Sequence, residues 1–234
     1  MDARRRLRLV VVLAVLSLVA TGCGTAGRCS AQPLQVVGGA VTSTQVERSV
    51  GVVTACVGPG VGCRRATALP IGGGYWLTAA SMARNVGTSL FPGAPSWSVV
   101  AVTSGGRRYR ASLARAAPVR GYALFEAPET ANVLGLPLDT GAPHQLDRAT
   151  VVCVEPTRTV TYSGSLFLTT PSESDVDLFE VNSPDAIADC AGGPVLDRGV
   201  VVGVQVFTVT GGAWAAPTSA MTGLPSTSTA SCRS

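Results

Sequence analysis

Apolar residues along this chain come in short runs rich in valine and threonine, each closed by glycine, proline or a polar pair. From Ser49 the residues Val-Gly-Val-Val-Thr-Ala-Cys read as a strand, which turns and returns as Arg-Ala-Thr-Ala-Leu-Pro-Ile. Gly72 to Gly74 then lead into Tyr75-Trp76-Leu77-Thr78-Ala79-Ala80-Ser81. Ser98 to Val102, Arg108 to Leu113 and Tyr122 to Phe125 follow as further strands. A second set begins near Ala149: Thr150 to Val154, Thr159 to Tyr162, Ser165 to Thr169, Leu178 to Val181, Pro194 to Leu196 and Val200 to Phe207. Runs of this length, punctuated this often, predict an all-β chain. Their two groups predict two antiparallel six-stranded β-barrels rather than one open sheet. No amphipathic helix period is visible, and the stretch up to about Thr44 and the tail from Pro225 read as loose ends.

The start of the chain follows another rule. Arg4, Arg5, Arg6 and Arg8 precede an apolar run from Leu9 to Ala20, broken only by Ser17. This is too short for a membrane span and small residues follow at once, as in an export signal. Ala20-Thr21-Gly22-Cys23 is similar to the lipobox of bacterial lipoproteins, with alanine in place of the usual leucine. The expectation is a lipid on Cys23, such as palmitate, holding an exported protein on the outer side of the cell membrane without spanning it. The competing reading is ordinary cleavage with Cys23 in a disulfide. The expected organisation is 1–22 signal peptide, 23–48 linker, 49–128 first barrel, 129–148 connection, 149–222 second barrel and 223–234 tail.

Loss of the signal changes the charge. Eighteen basic residues less four, against fourteen acidic residues less Asp2, turn +4 into +1. A nearly neutral chain offers no electrostatic case for binding nucleic acid. Every basic residue is arginine, which removes a serine-lysine dyad from consideration. Seven cysteines in an exported chain imply disulfides, and the odd one is Cys23. Cys56 and Cys63 flank the turn-forming Val-Gly-Pro-Gly-Val-Gly and are expected to staple a hairpin. Cys29 with Cys232 and Cys153 with Cys190 complete the set, though other pairings fit the spacing. Without paired Cys-x-x-Cys units the cysteines do not read as a metal centre. No cofactor is expected.

Three segments carry chemistry in their spacing. Leu77-Thr78-Ala79-Ala80 is followed by Ser81; Gly121 heads Tyr122-Ala123-Leu124-Phe125; and Asp189-Cys190-Ala191-Gly192-Gly193-Pro194 has the form of a nucleophile loop. In order and spacing, from Ser49 to Met221, the chain resembles the trypsin-like (chymotrypsin-fold) serine proteases, in particular their HtrA-like bacterial branch. The resemblance puts the catalytic histidine at Ser81, the acid at Gly121 and the nucleophile at Ala191. All three triad positions are therefore substituted. It also makes Asp189, Cys190 and Ala191 the oxyanion loop, and Val200 to Val204 the strand that returns along the substrate cleft.

A triad needs a nucleophile, a base that takes its proton and a group that orients the base. Alanine has no oxygen to attack with, serine no proton-accepting form near neutral pH, and glycine no side chain. His144, the single histidine, lies in a polar lead-in to the second barrel and reads as a surface residue. Cys190 is the one substitute nucleophile in the loop, with a structural disulfide as the competing reading. Asp189 is a poor base at a position where the backbone does the work. Trp76, Trp97 and Trp214 read as packing residues, and Glu173, Asp175, Asp177 and Glu180 as a solvated stretch lacking the layout of an EF-hand loop. The expectation is an inactive protease homologue that binds or scaffolds a protein or peptide at the cell envelope. The alternative is a hydrolase built on Cys190.

Overall fold

The computed structural model describes residues 39–58, 61–83, 99–168 and 178–225, and the backbone alone of 30–33 and 228–231. Cys23, Cys29, Cys232, Trp97, Glu173, Asp175 and Asp177 lie outside the described side chains. The chain divides into two units. One is formed by the two ends, where β1 (Ser30–Pro33) pairs antiparallel with β15 (Ser228–Ser231), Ser30 opposite Ser231. These segments, expected to be loose, are thus paired with each other.

The other unit opens with a helix that the hydrophobic pattern does not reveal, α1 (Ser43–Ser49). It is too short for periodicity to show, and its signal is local. Gln45 N–H donates to Thr42 Oγ1 at 3.2 Å and Thr42 N–H donates to Gln45 Oε1 at 2.8 Å, a capping box that satisfies two terminal donors. Val41, Val46 and Val50 are buried, and Val41 N–H donates to Gly199 O at 2.7 Å.

The first sheet contains β2 (Gly51–Gly58), β3 (Val61–Gly72), β4 (Tyr75–Ala79), β5 (Val99–Ser104), β6 (Arg107–Arg110), β7 (Ser112–Ala117) and β8 (Tyr122–Glu126). Their order is β6-β5-β2-β3-β4-β8-β7. The run predicted as one strand from Arg108 to Leu113 breaks at Ala111, whose N–H donates to Val100 O at 3.0 Å. The break leaves β6 and β7 as opposite ends of a curled sheet instead of a closed ring.

The second sheet does close, with β9 (Arg148–Val154), β10 (Thr159–Leu168), β11 (Phe179–Asn182), β12 (Pro194–Asp197), β13 (Val200–Val209) and β14 (Gly212–Pro217) in the order β10-β11-β14-β13-β12-β9. Its membership differs from the sequence reading in two ways. The segments Thr159 to Tyr162 and Ser165 to Thr169 are one strand running through Gly164, where a Cβ would collide with the Asn182 carbonyl. That glycine marks a close approach between strands rather than a turn. The sixth strand is β14, hidden by its small residues and terminal proline.

Strand alternation explains why so many runs are apolar on both faces. In β4 and β8, Trp76, Ala123 and Phe125 enter the core of the first sheet, while Leu77, Tyr122 and Leu124 point the other way. In β9 and β13, Val151, Cys153 and Val202 fill the closed barrel, while Val152, Val201 and Val204 leave it. The outward sets meet, with Val46, Leu136 and Met221, in a third core between the sheets. Strands buried on both faces lose the period-two signal and read as continuous runs.

Trp76 is fully buried, and its Nε1–H donates to Thr130 Oγ1 at 2.8 Å. Replacing Thr130 with valine keeps the shape and removes the acceptor, at a cost of about 1–3 kcal/mol for an orphaned buried donor. Urea denaturation of Thr130→Val should show a lower midpoint with an unchanged slope.

Candidate functional site at the junction of the sheets

The loop from Ile187 to Gly193 crosses from β11 to β12 and is tied down from both sides. Towards the first sheet, Thr67 N–H donates to Ala191 O at 2.9 Å. Thr67 is itself held by Thr78, whose Oγ1 donates to Thr67 O at 2.6 Å, and by Val154, whose N–H donates to Thr67 Oγ1 at 2.9 Å. Gly192 adopts φ +84°, and a Cβ there would collide with Thr67 O and Thr78 Oγ1. The backbone can pass between the sheets here only as glycine. Cys190 is buried and joined to Cys153 of β9. Cys56 and Cys63, opposite one another in the β2–β3 pair, form the hairpin staple expected from their spacing. Ala191 is half-buried and Asp189 exposed.

Towards β13 the loop is bonded directly. Gly192 N–H donates to Gln205 O at 2.7 Å and Gln205 N–H donates to Gly193 O at 2.8 Å. The Gln205 side chain has no solvent exposure. Its Oε1 accepts from Tyr162 Oη at 2.7 Å, and its Nε2 donates to Thr208 Oγ1 at 2.7 Å. Thr208 Oγ1 in turn donates to Ile187 O at 2.8 Å. Burial pushes the Tyr162 phenol well above its usual range, so it stays a neutral donor. The nucleophile-type loop and the returning strand are therefore stitched together by main chain and side chain, along the line where the resemblance puts a substrate cleft.

Gly121 follows the 3₁₀ turn Pro118–Arg120 with φ +76°. Its carbonyl accepts from Ala80 N–H at 2.9 Å, which brings Ser81, half-buried in the turn Ala80–Ala83, to the same corner. A Cβ at 121 would lie 2.9 Å from Val206 Cγ2, 3.1 Å from Ala216 Cβ and 3.7 Å from Leu178 Cδ2. These neighbours are all hydrocarbon. A carboxylate entering there would meet apolar groups in a left-handed backbone position, both unfavourable.

Space remains on the other side of Ala191. A cavity of about 900 Å³ separates the outer face of β2, β3 and β5 from the second barrel. Its walls include Arg65 and Arg108 on the first sheet, and Glu155, Asp189 and Ala191 on the second. The charges are of opposite sign across the gap.

The single histidine belongs to a different group. His144, 67% exposed, faces Asp147 and Asp197 near the end of β12, with Nδ1 4.0 and 3.9 Å from their Oδ2 atoms. Sequence reading missed this cluster because Asp197 and Arg198 lie in a hairpin far along the chain. No local spacing announces it. Burial holds the Asp197 carboxyl above its ordinary range, and Asp147 adds to the shift, against the pull of Arg198 and His144. Trp214 is half-buried and stacks on Phe207 with centroids 6.3 Å apart.

No protein-family model matches the chain, and no curated protein does. Solved structures match well. The active form of the Mycobacterium tuberculosis protease Rv3671c superposes with a TM-score of 0.57 at 16% identity, over 80% of this chain and 86% of that one. The serine protease of a human pathogenic astrovirus gives 0.57 at 16%, over 83% and 99%. The serine endoprotease of Yersinia pestis gives 0.58 at 15%, over 75% of this chain and 60% of its own. The chain has the fold of the trypsin-like serine proteases. At this identity the likeness is one of fold, as expected from the sequence, with the correction that the first sheet curls without closing.

A raised carboxyl pKa in the fold means that the folded state binds the proton more tightly than the unfolded one. Asp197 therefore weighs against the fold as pH rises through the carboxylate range, and this penalty disappears on acidification. Asp197→Asn should raise the unfolding temperature near pH 7 and leave it unchanged near pH 3, as followed by calorimetry.

Proposed function

We propose that this chain is a catalytically inactive homologue of the trypsin-like serine proteases, exported and held at the cell envelope by a lipid on Cys23, where it binds or scaffolds a protein or peptide. The observation that carries this reading is the identity of Ala191: the residue that the resemblance puts at the nucleophile position has no side-chain oxygen. Disabling a triad nucleophile costs on the order of a millionfold in turnover. Ser81 cannot take a proton from a nucleophile near neutral pH, and the corner at Gly121 is lined by Val206, Ala216 and Leu178. The charged cavity beside Ala191 supplies a surface for a partner.

The reading that makes Cys190 a nucleophile has an observation against it. Cys190 is bonded to Cys153 and buried, and a disulfide sulfur has no thiolate to offer.

The test is hydrolysis of a broad peptide and ester set by the purified, oxidised chain and by its Ala191→Ser variant. No turnover above buffer is expected from either, since the variant restores the hydroxyl but neither base nor acid. Saturable cleavage by the wild-type chain that Asp189→Ala or Cys190→Ala abolishes would overturn the reading.

A further inference from the structure

We propose that His144, Asp147 and Asp197 form a binding site for a divalent transition-metal cation of the zinc type. The three offer one imidazole nitrogen and two carboxylate oxygens, with all ligand atoms within 4.8 Å of one another. The decisive member is Asp197. Its side chain is only 6% exposed. Among the described residues no N–H donor comes within hydrogen-bonding distance of it. Its ion-pair partners, His144 Nδ1 and Arg198 Nε, both stand 3.9 Å away, and a second carboxyl, Asp147, lies beside it. A largely enclosed carboxylate beside a second carboxylate, with both of its cationic partners beyond hydrogen-bonding distance, is a costly arrangement. A dication between the two converts that repulsion into coordination.

The frame around the cluster is rigid on one side and adjustable on the other. Asp197 ends β12, opposite Ala149 of β9, and Asp147 O accepts from Leu166 N–H at 2.9 Å. His144 sits in an exposed turn closed by Asp147 N–H to His144 O at 3.4 Å. A tetrahedral ion with bonds of about 2.0–2.1 Å sets its ligands roughly 3.3 Å apart. The imidazole therefore has to approach the carboxylates by a little over half an ångström, which an exposed turn allows. One cation already competes: Arg198 Nη2 donates to Asp147 Oδ2 at 2.6 Å. An imidazole ligand favours zinc-like ions over calcium or magnesium, which take oxygen.

The test uses the full chain without a polyhistidine tag, disulfides intact, titrated with Zn²⁺ and separately with Ca²⁺ by calorimetry. Saturable binding of one Zn²⁺ per chain is expected, with none for Ca²⁺. His144→Ala and Asp197→Asn should each weaken Zn²⁺ binding by at least about tenfold, the loss that even an outer partner of a metal ligand can cause. Arg198→Gly suits the left-handed φ of 48° at that residue and removes the competitor, so it should tighten binding several-fold. Absence of saturable Zn²⁺ binding, binding unchanged in His144→Ala or Asp197→Asn, or no tightening in Arg198→Gly would overturn the proposal. Far-UV circular dichroism of each variant confirms that a loss of binding is not a loss of fold.

Discussion

The junction of this molecule rests on one buried amide. Gln205 is a long polar side chain without solvent contact, so each of its hydrogen-bonding groups has to be met inside the protein or cost the fold dearly. Its main chain exchanges bonds with Gly192 and Gly193, its Oε1 accepts from Tyr162, and its Nε2 reaches Thr208 and, at 3.4 Å, Ile187 O. Satisfying Gln205 fixes the Ile187 to Gly193 loop against β13. That in turn leaves the Gly192 backbone in a gap that admits no Cβ, and sets Ala191 O against Thr67 N–H of the first sheet. A fully satisfied polar network of this kind specifies one arrangement, because any partial version leaves a buried group unpaired.

The fold alone does not name an activity. The same loop and strand that frame a cleft in the resemblance are here bonded to each other by Thr208 and Gln205, while the corner at Gly121 is filled from Val206, Ala216 and Leu178. A cavity lies on the side of β2 and β3, between walls of opposite charge, and a smaller one of about 280 Å³ borders Leu178, Phe179 and Pro217.

Much of this was legible in the residues, and the failures have physical causes. Most strands of the two sheets announced themselves, β14 excepted, and so did the hairpin staple, because Cys56 and Cys63 bracket a turn whose geometry fixes their register. Helix α1 was missed because its signal is a capping box at Thr42 and Gln45, with too few turns for an apolar period. Gly164 misled because glycine marks both turns and close strand approaches, and only the neighbouring Asn182 decides which. Ala111 misled in the opposite sense, as a small residue at which one strand becomes two. The closing of the junction and the His144 cluster were illegible for a common reason: their partners, Gln205 with Tyr162 and His144 with Asp197, are far apart in the chain and meet only through the order of the strands.

The loop and β13 form one hydrogen-bonded unit. Amide hydrogen exchange at Gly192 and Gln205 tests it most directly. If the junction is stitched as described, these two amides exchange only when the whole domain unfolds, with the same protection as core amides of β13 such as Val202. Exchange at Gly192 and Gln205 through a local opening, while Val202 stays protected, would contradict it.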